Sequence, residues 1–227
     1  MNYISDNIFQ ALLDWSEAWI TLIPLAMYFF RKKYVHAYKI VAVYLILAFI
    51  NNSAEGFTIA VLYYRVKGVF GTNNWLYNLH SVFLTVCFIL FFREIGIRSK
   101  WLNTKWILPL YLITVGSIFL LSDDFFIISS KVFAIEGIVL LVYCVSFFLQ
   151  RLKDDEIYLD FDAPLVIVTG LTIYESVNFF IFLFFNLLME KAVAFAGSIW
   201  DVHNWVYIIF CLFITYAFYG RTRLIYR

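Results

Sequence analysis

The chain is poor in charge, cysteine and histidine, and each scarcity excludes something. Only 15% of its 227 residues are Asp, Glu, Lys or Arg, and the net charge is +1. No basic patch with interleaved aromatics occurs, so nucleic acid is not an expected partner. The three cysteines, Cys87, Cys144 and Cys211, all lie inside apolar runs. They cannot form an external disulfide and read as small packing residues. Of three histidines, His36 sits in a basic loop, which leaves only His80 and His203 inside apolar segments. That is too few for the His-rich zinc set of seven-helix membrane hydrolases. No HExxH, GxSxG or P-loop pattern occurs. The last apolar run has no lysine, so no retinal Schiff base is expected there. The N-terminus lacks the basic region and cleavage site of a signal peptide, and no lipidation motif is present. The first apolar run is therefore expected to stay in the mature protein.

What the chain has instead is apolar surface. It is 63% hydrophobic and 22% aromatic, against about 45–50% apolar for a soluble domain. Such an excess implies lipid as the surrounding solvent. Seven apolar segments can be counted, about 8–30, 40–64, 75–92, 106–122, 126–150, 164–188 and 200–220. Each is long enough to cross a hydrocarbon core of ~30 Å as a helix. They lack the ~10-residue polar–apolar alternation of barrel strands. Pro24 is expected to kink the first. The expectation is a single all-α domain over residues 1–227, a bundle of seven transmembrane helices. The loops are too short for a separate soluble domain.

Charge orients the bundle. The loops after the first, third and fifth segments hold Arg31, Lys32, Lys33, Lys39, Arg93, Arg98, Lys100, Lys105, Arg151 and Lys153, and the tail holds Arg221, Arg223 and Arg227. The opposite side holds only Arg65, Lys67 and Lys191. The positive-inside rule then puts the N-terminus outside and the C-terminus in the cytoplasm. The expected location is a bacterial inner membrane, with multiple crossings.

Inside this apolar frame stand ionisable residues. Glu175 lies near the middle of the run Pro164–Leu188, with Asn178 one turn on. A carboxylate at that depth is costly and usually marks function. Glu17, Glu55 and Glu136 share its situation, at expected depths of ~14–20 Å from the outer ends of their helices. His80 and His203 are expected nearer the surface. Asn51, Asn52 and Glu55 share one helix face, as do Glu175 with Asn178 and His203 and Asn204 with Trp200. Lys131, on the fifth helix, could neutralise a glutamate from another helix.

The order along the chain suggests a repeat. Helices one to three supply Glu17, Glu55 and His80. Helices five to seven supply Glu136, Glu175 and His203, at offsets of 119, 120 and 123 residues. Asn52 and Asn78 accompany the first set, and Asn178 and Asn204 the second. This reads as a 3+1+3 parallel repeat about an axis normal to the membrane, with the fourth helix as connector.

Three uses of this Glu/His/Asn set compete. It can form an outward-facing polar cavity that recognises a small ligand or ion, with sensing or transport as output. It can hold a divalent metal through Glu17, Glu55, Glu136, Glu175, His80 and His203, as carboxylate-bridged sites in helical bundles do, and serve a membrane enzyme. Or it can be a polar network that only keeps the helices in register.

Two stretches, NNWLYNLHSVFLTVCFILFFRE and SIWDVHNWVYIIFCLFITYAF, carry N-x-H and W-x-x-H-N patterns. With the aromatic-rich style they resemble small seven-helix membrane proteins of Bacteroidetes-type bacteria, similar to the membrane sensor regions of some histidine kinases. The resemblance implies a sensor-like protein, without established catalytic residues. A homodimer or a cytoplasmic signalling partner would fit it.

Overall fold

The computed structural model describes residues 10, 12–31, 35–57, 74–153, 162–185 and 193–220. These are helical almost throughout: α1 Ser16–Trp19, α2 Leu22–Arg31, α3 His36–Phe57, α4 Asn74–Glu94, α5 Thr104–Leu121, α6 Ser130–Lys153, α7 Ala163–Leu183 and α8 Val193–Tyr219. A short 3-10 turn, Lys100–Leu102, precedes α5. Six helices, α3 to α8, are long and apolar enough to cross a membrane, which marks a multi-pass membrane protein.

The first segment departs from the continuous helix expected over 8–30. It breaks at Ile20–Thr21, between α1 and α2. Pro24 explains the position, because a proline offers no N–H and its ring crowds the carbonyl four residues back, here that of Ile20. Backbone freed at such a break needs partners where no water can reach. Thr21 Oγ1 donates to the Ala18 carbonyl at 2.7 Å, and Asn52 Nδ2 donates to the Glu17 carbonyl at 2.9 Å.

Other boundaries move for local reasons. The fifth helix starts at Ser130 rather than near 126, because Asn78 holds the backbone of Phe125–Ser129 in a non-helical path. Asn78 Nδ2 donates to the Phe125 and Ile127 carbonyls, each at 2.8 Å, and Oδ1 accepts from Ser129 N–H at 3.2 Å. α8 begins at Val193 instead of near Trp200, since the stretch around Gly197 continues the helix. α5 and α7 begin with side-chain caps, Asn103 accepting from Lys105 N–H and Asp162 from Leu165 N–H. The ends of the second and sixth expected segments, 58–64 and 186–188, lie outside the described residues.

The helices pack as a ring in chain order: α2–α3, α3–α4, α4–α6, α6–α7, α7–α8, with α8 closing on α1 and α2. α5 stands aside and touches α4 and α6 only lightly. The tightest joint is α7 on α8. There Gly170 lets the helices approach so closely that an added Cβ would lie 2.6 Å from Phe213 Cβ. Gly137 of α6 does the same for Phe179 of α7.

Two halves differ in chemistry. Towards the end that bears the basic loops, the interior is apolar and aromatic: Tyr38, Phe88, Phe91, Phe92, Tyr143, Phe147, Phe210 and Phe218 are buried in one cluster. Towards the opposite end the buried polar residues gather, including Glu17, Asn51, Asn52, Asn78, Ser81, Glu136, Glu175, Asn178, His203 and Asn204, beside a small apolar cluster of Ile128, Phe133 and Phe182. The bundle thus joins an apolar half to a half that holds the buried polar residues.

Candidate functional site

His203 is the hub of the polar half. Because α8 begins at Val193, this residue lies about three turns into its helix, not near the surface as the shorter helix implied. Its Nδ1 is 2.8 Å from Asn178 Oδ1. Its Nε2 stands 2.8 Å from Glu17 Oε1. The latter is a close polar contact rather than an aligned hydrogen bond, since Oε1 has no hydrogen-bond partner. The break between α1 and α2 brings this carboxylate to the last helix of the ring. Trp200, Tyr174 and Phe182 wall the imidazole, with ring centroids 5.2–5.9 Å away.

Next to the hub lies a small cavity lined by His80, Glu136, Glu175, Asn178, Tyr174 and phenylalanines. It leaves ≈ 10 Å³ for the centre of a water molecule, about what one water needs. Glu136 Oε2, Glu175 Oε1 and Asn178 Nδ2 are all buried without hydrogen-bond partners. A proton or a small cation would satisfy the two carboxylates, a water could also accept from Asn178 Nδ2, and an organic ligand has no room. His80 also meets the Tyr44 hydroxyl at 3.3 Å, and that hydroxyl reaches Tyr207 at 3.4 Å. Polar groups from α1, α3, α4, α6, α7 and α8 therefore face one interior region.

The remaining candidates divide. Asn52 supports the Glu17 backbone, and Asn51 donates to the Leu76 carbonyl at 3.1 Å. Asn78 is occupied with the Phe125–Ser129 turn. Asn204 is fully buried, and neither of its side-chain polar atoms has a hydrogen-bond partner. Glu55 lies on α3, but its side chain is outside the described residues. Lys131 does not neutralise a buried glutamate. It starts α6 beside the Ser122–Ser129 turn, where its Nζ donates to Asp123 at 2.6 Å and also to Ser122 Oγ. Burial alone would raise the Asp123 carboxyl, yet hydrogen bonds from Lys131, Ser129 and Ser122 outweigh it and hold the group below its ordinary 3.8.

Metal binding was an expectation for Glu17, Glu55, Glu136, Glu175, His80 and His203. Among the described residues, no three His, Cys, Asp or Glu side chains converge as a metal site. Sequence reasoning did not single out Tyr44, Tyr174 and Tyr207. Their hydroxyls are the only polar feature of residues that otherwise look like ordinary aromatic core, so nothing in the chain alone marked them. The chain matches no protein-family model, no curated protein and no solved structure.

Proposed function

We propose that this membrane protein takes up protons, or a small cation, into its buried Glu/His/Asn chamber from the side opposite the basic loops, as a sensor-like or transporter-like protein. The observation that carries the reading is the shared cavity of Glu136 and Glu175, each with one buried carboxylate oxygen, Oε2 of Glu136 and Oε1 of Glu175, that lacks a hydrogen-bond partner. Two carboxylates beside one small cavity in an apolar interior call for a proton on one of them or a cation between them. His80 on the same cavity, and His203 beside it, extend the set of groups that can exchange a proton. The apolar half below closes the chamber towards the basic loops. By the positive-inside rule that closed end is cytoplasmic and the polar end faces out.

The ring supports a 3+1+3 arrangement. A two-fold relation would pair α1–α4 with α6–α8 and leave α5 outside, as the connector. Under it, the Glu17–His203 contact between first and last segments would have Glu136 and His80 as its image, and those two do line one cavity.

The test is proton uptake by the purified protein in lipid nanodiscs, read with a pH dye after an acid jump. Wild type should bind protons that a Glu136→Gln, Glu175→Gln double variant does not. Equal uptake by a folded double variant contradicts the proposal. Vesicles loaded with the same dye separate the two outputs, since a transporter passes protons across and a sensor only binds them.

A further inference from the structure

We propose that Phe133 and Phe182 are the selectivity gate of the buried chamber, a stacked aromatic pair that keeps hydrated cations from Glu136 and Glu175 while a proton passes. The inference rests on the reading of that chamber as a site for a proton or small cation, and it names which of the two enters. The two rings are stacked, with centroids 4.1 Å apart and planes 18° from parallel. Both line the same small cavity as the two carboxylates. Helix spacing puts them on its outward side. α6 runs from Ser130 towards the basic loops, so Phe133 lies one turn outward of Glu136 on the same face. α7 runs the opposite way from Ala163, and Glu175, Asn178 and Phe182 follow at i, i+3 and i+7 along one face. The stack therefore bridges α6 and α7 on the outward side of the carboxylate pair.

The surroundings extend the pair into an apolar layer. Phe182 packs edge-on against Trp200 and His203 of α8, with centroids 6.2 and 5.3 Å away. Trp200 in turn meets Tyr77 of α4 at 5.0 Å. Ile128 joins the layer from the Phe125–Ser129 turn. Phe133 and Phe182 are only 9% and 3% exposed. Rings from α4, α6, α7 and α8 thus meet between the carboxylates and the outer end. A hydrophobic constriction of this kind excludes ions by dewetting. A hydrated cation is far larger than a cavity with ≈ 10 Å³ for a water centre. To enter, it would have to shed its water among side chains that offer no oxygen in exchange. Stacking also turns one π face of each ring towards the other, away from any cation. A proton needs no shell of its own, since it hops along a single water as the rings part. His203, at the edge of the stack, and Glu136 and Glu175 beneath it are then its acceptors.

Thiol labelling of the full chain in lipid nanodiscs reads the gate without relying on proton binding. The chain carries Cys87→Ala, Cys144→Ala and Cys211→Ala, with Asn178→Cys as the reporter beside the cavity. The probe is a cationic, membrane-impermeant methanethiosulfonate. Labelling should be slow with both rings present. It should rise by roughly tenfold in Phe133→Ala and in Phe182→Ala, the change in rate expected when a closed barrier loses one stacked aromatic contact. Phe182→Leu, which keeps apolar bulk, should lie between. Phe92→Ala controls for general loosening. It breaks the Phe92–Tyr143 stack in the apolar half, where the centroids are 5.1 Å apart, and should leave the labelling rate unchanged. Sodium competition reads the selectivity in chains that keep Asn178 and the native cysteines. Replacing choline chloride by sodium chloride should not lower proton uptake by wild type, but should lower it in Phe133→Ala and Phe182→Ala. The proposal is overturned if neither alanine variant labels faster than the parent, or if Phe92→Ala speeds labelling as much as they do. Sodium that lowers wild-type uptake as much as that of the variants overturns it too. If wild type and the Glu136→Gln, Glu175→Gln double variant take up protons alike, the functional reading fails and the proton selectivity with it, while the labelling rates still decide whether the two rings are a gate.

Discussion

Replacing Asn78 by alanine should cost stability far out of proportion to its size. Its amide makes three hydrogen bonds to the backbone of Phe125–Ser129, at 2.8, 2.8 and 3.2 Å, from a fully buried position on α4. A net hydrogen bond contributes about 1 kcal/mol, and more is lost when backbone groups are left unpaired away from water. The expected loss is about 2–4 kcal/mol, because the three bonds share one side chain and do not add fully. Asn78→Asp sharpens the test. It keeps an acceptor for Ser129 N–H but turns oxygen towards two carbonyls that need a donor, so it should be no milder than alanine. The assay is thermal unfolding of the detergent-solubilised protein, combined with limited proteolysis. Cleavage should appear near Phe125–Ser129 before the rest of the bundle opens. An Asn78→Ala protein within about 0.5 kcal/mol of wild type, with that turn still protected, would refute the reasoning.

Other expectations follow from the same geometry. Gly170→Ala places a methyl 2.6 Å from Phe213 Cβ and should destabilise by about 1–3 kcal/mol, while Gly116→Ala, with nothing within 4 Å, should be neutral or slightly stabilising in the same melt. His203→Ala removes the partner of both Glu17 and Asn178, so the melting temperature should fall markedly, with His203→Gln intermediate. Asn204→Leu replaces two unpartnered polar atoms by apolar ones and should melt at or above wild type. The Asp123–Lys131 pair should respond to acid. Its carboxyl is held below the ordinary 3.8, so its stabilisation is present above that value and is lost as pH falls through the lower folded pKa. Lys131→Ala should reduce this acid-dependent loosening of the Ser122–Ser129 turn, read by proteolysis, while the Ser129 and Ser122 hydrogen bonds to Asp123 sustain part of it. The effect should be small, because Lys131 is mostly exposed.

The bundle was legible in the chain because apolar length is a direct demand of the bilayer. Six of the expected spans appear as such. The first does not, and its proline explains why: a proline signals a disturbance, but whether the helix bends or breaks depends on partners such as Asn52 from another helix. Glu17, Glu136, Glu175, Asn178 and His203 were visible as expensive residues, and the structure brings them to one buried region. How they pair was not visible, because pairing depends on helix depth. Treating 189–199 as loop put His203 too near the surface, and extending α8 back to Val193 lowers it to Glu17. Lys131 misled for a related reason. Its place at the start of α6, beside Asp123, depends on where that helix begins, and Asn78 decides this from a different element. The aromatic hydroxyls of Tyr44, Tyr174 and Tyr207 carried no signal at all.

The proposed function requires that Glu136 and Glu175 hold an exchangeable proton inside the membrane. Infrared difference spectroscopy of the lipid-embedded protein, stepped between acid and neutral pH, reads this directly through the carbonyl stretch of protonated carboxyl groups. A band from a buried carboxyl that exchanges with deuterium, responds to pH and disappears in Glu136→Gln, Glu175→Gln is the expected result. A spectrum in which that double variant and wild type titrate identically would contradict it, leaving the chamber as a network that only holds the helices together.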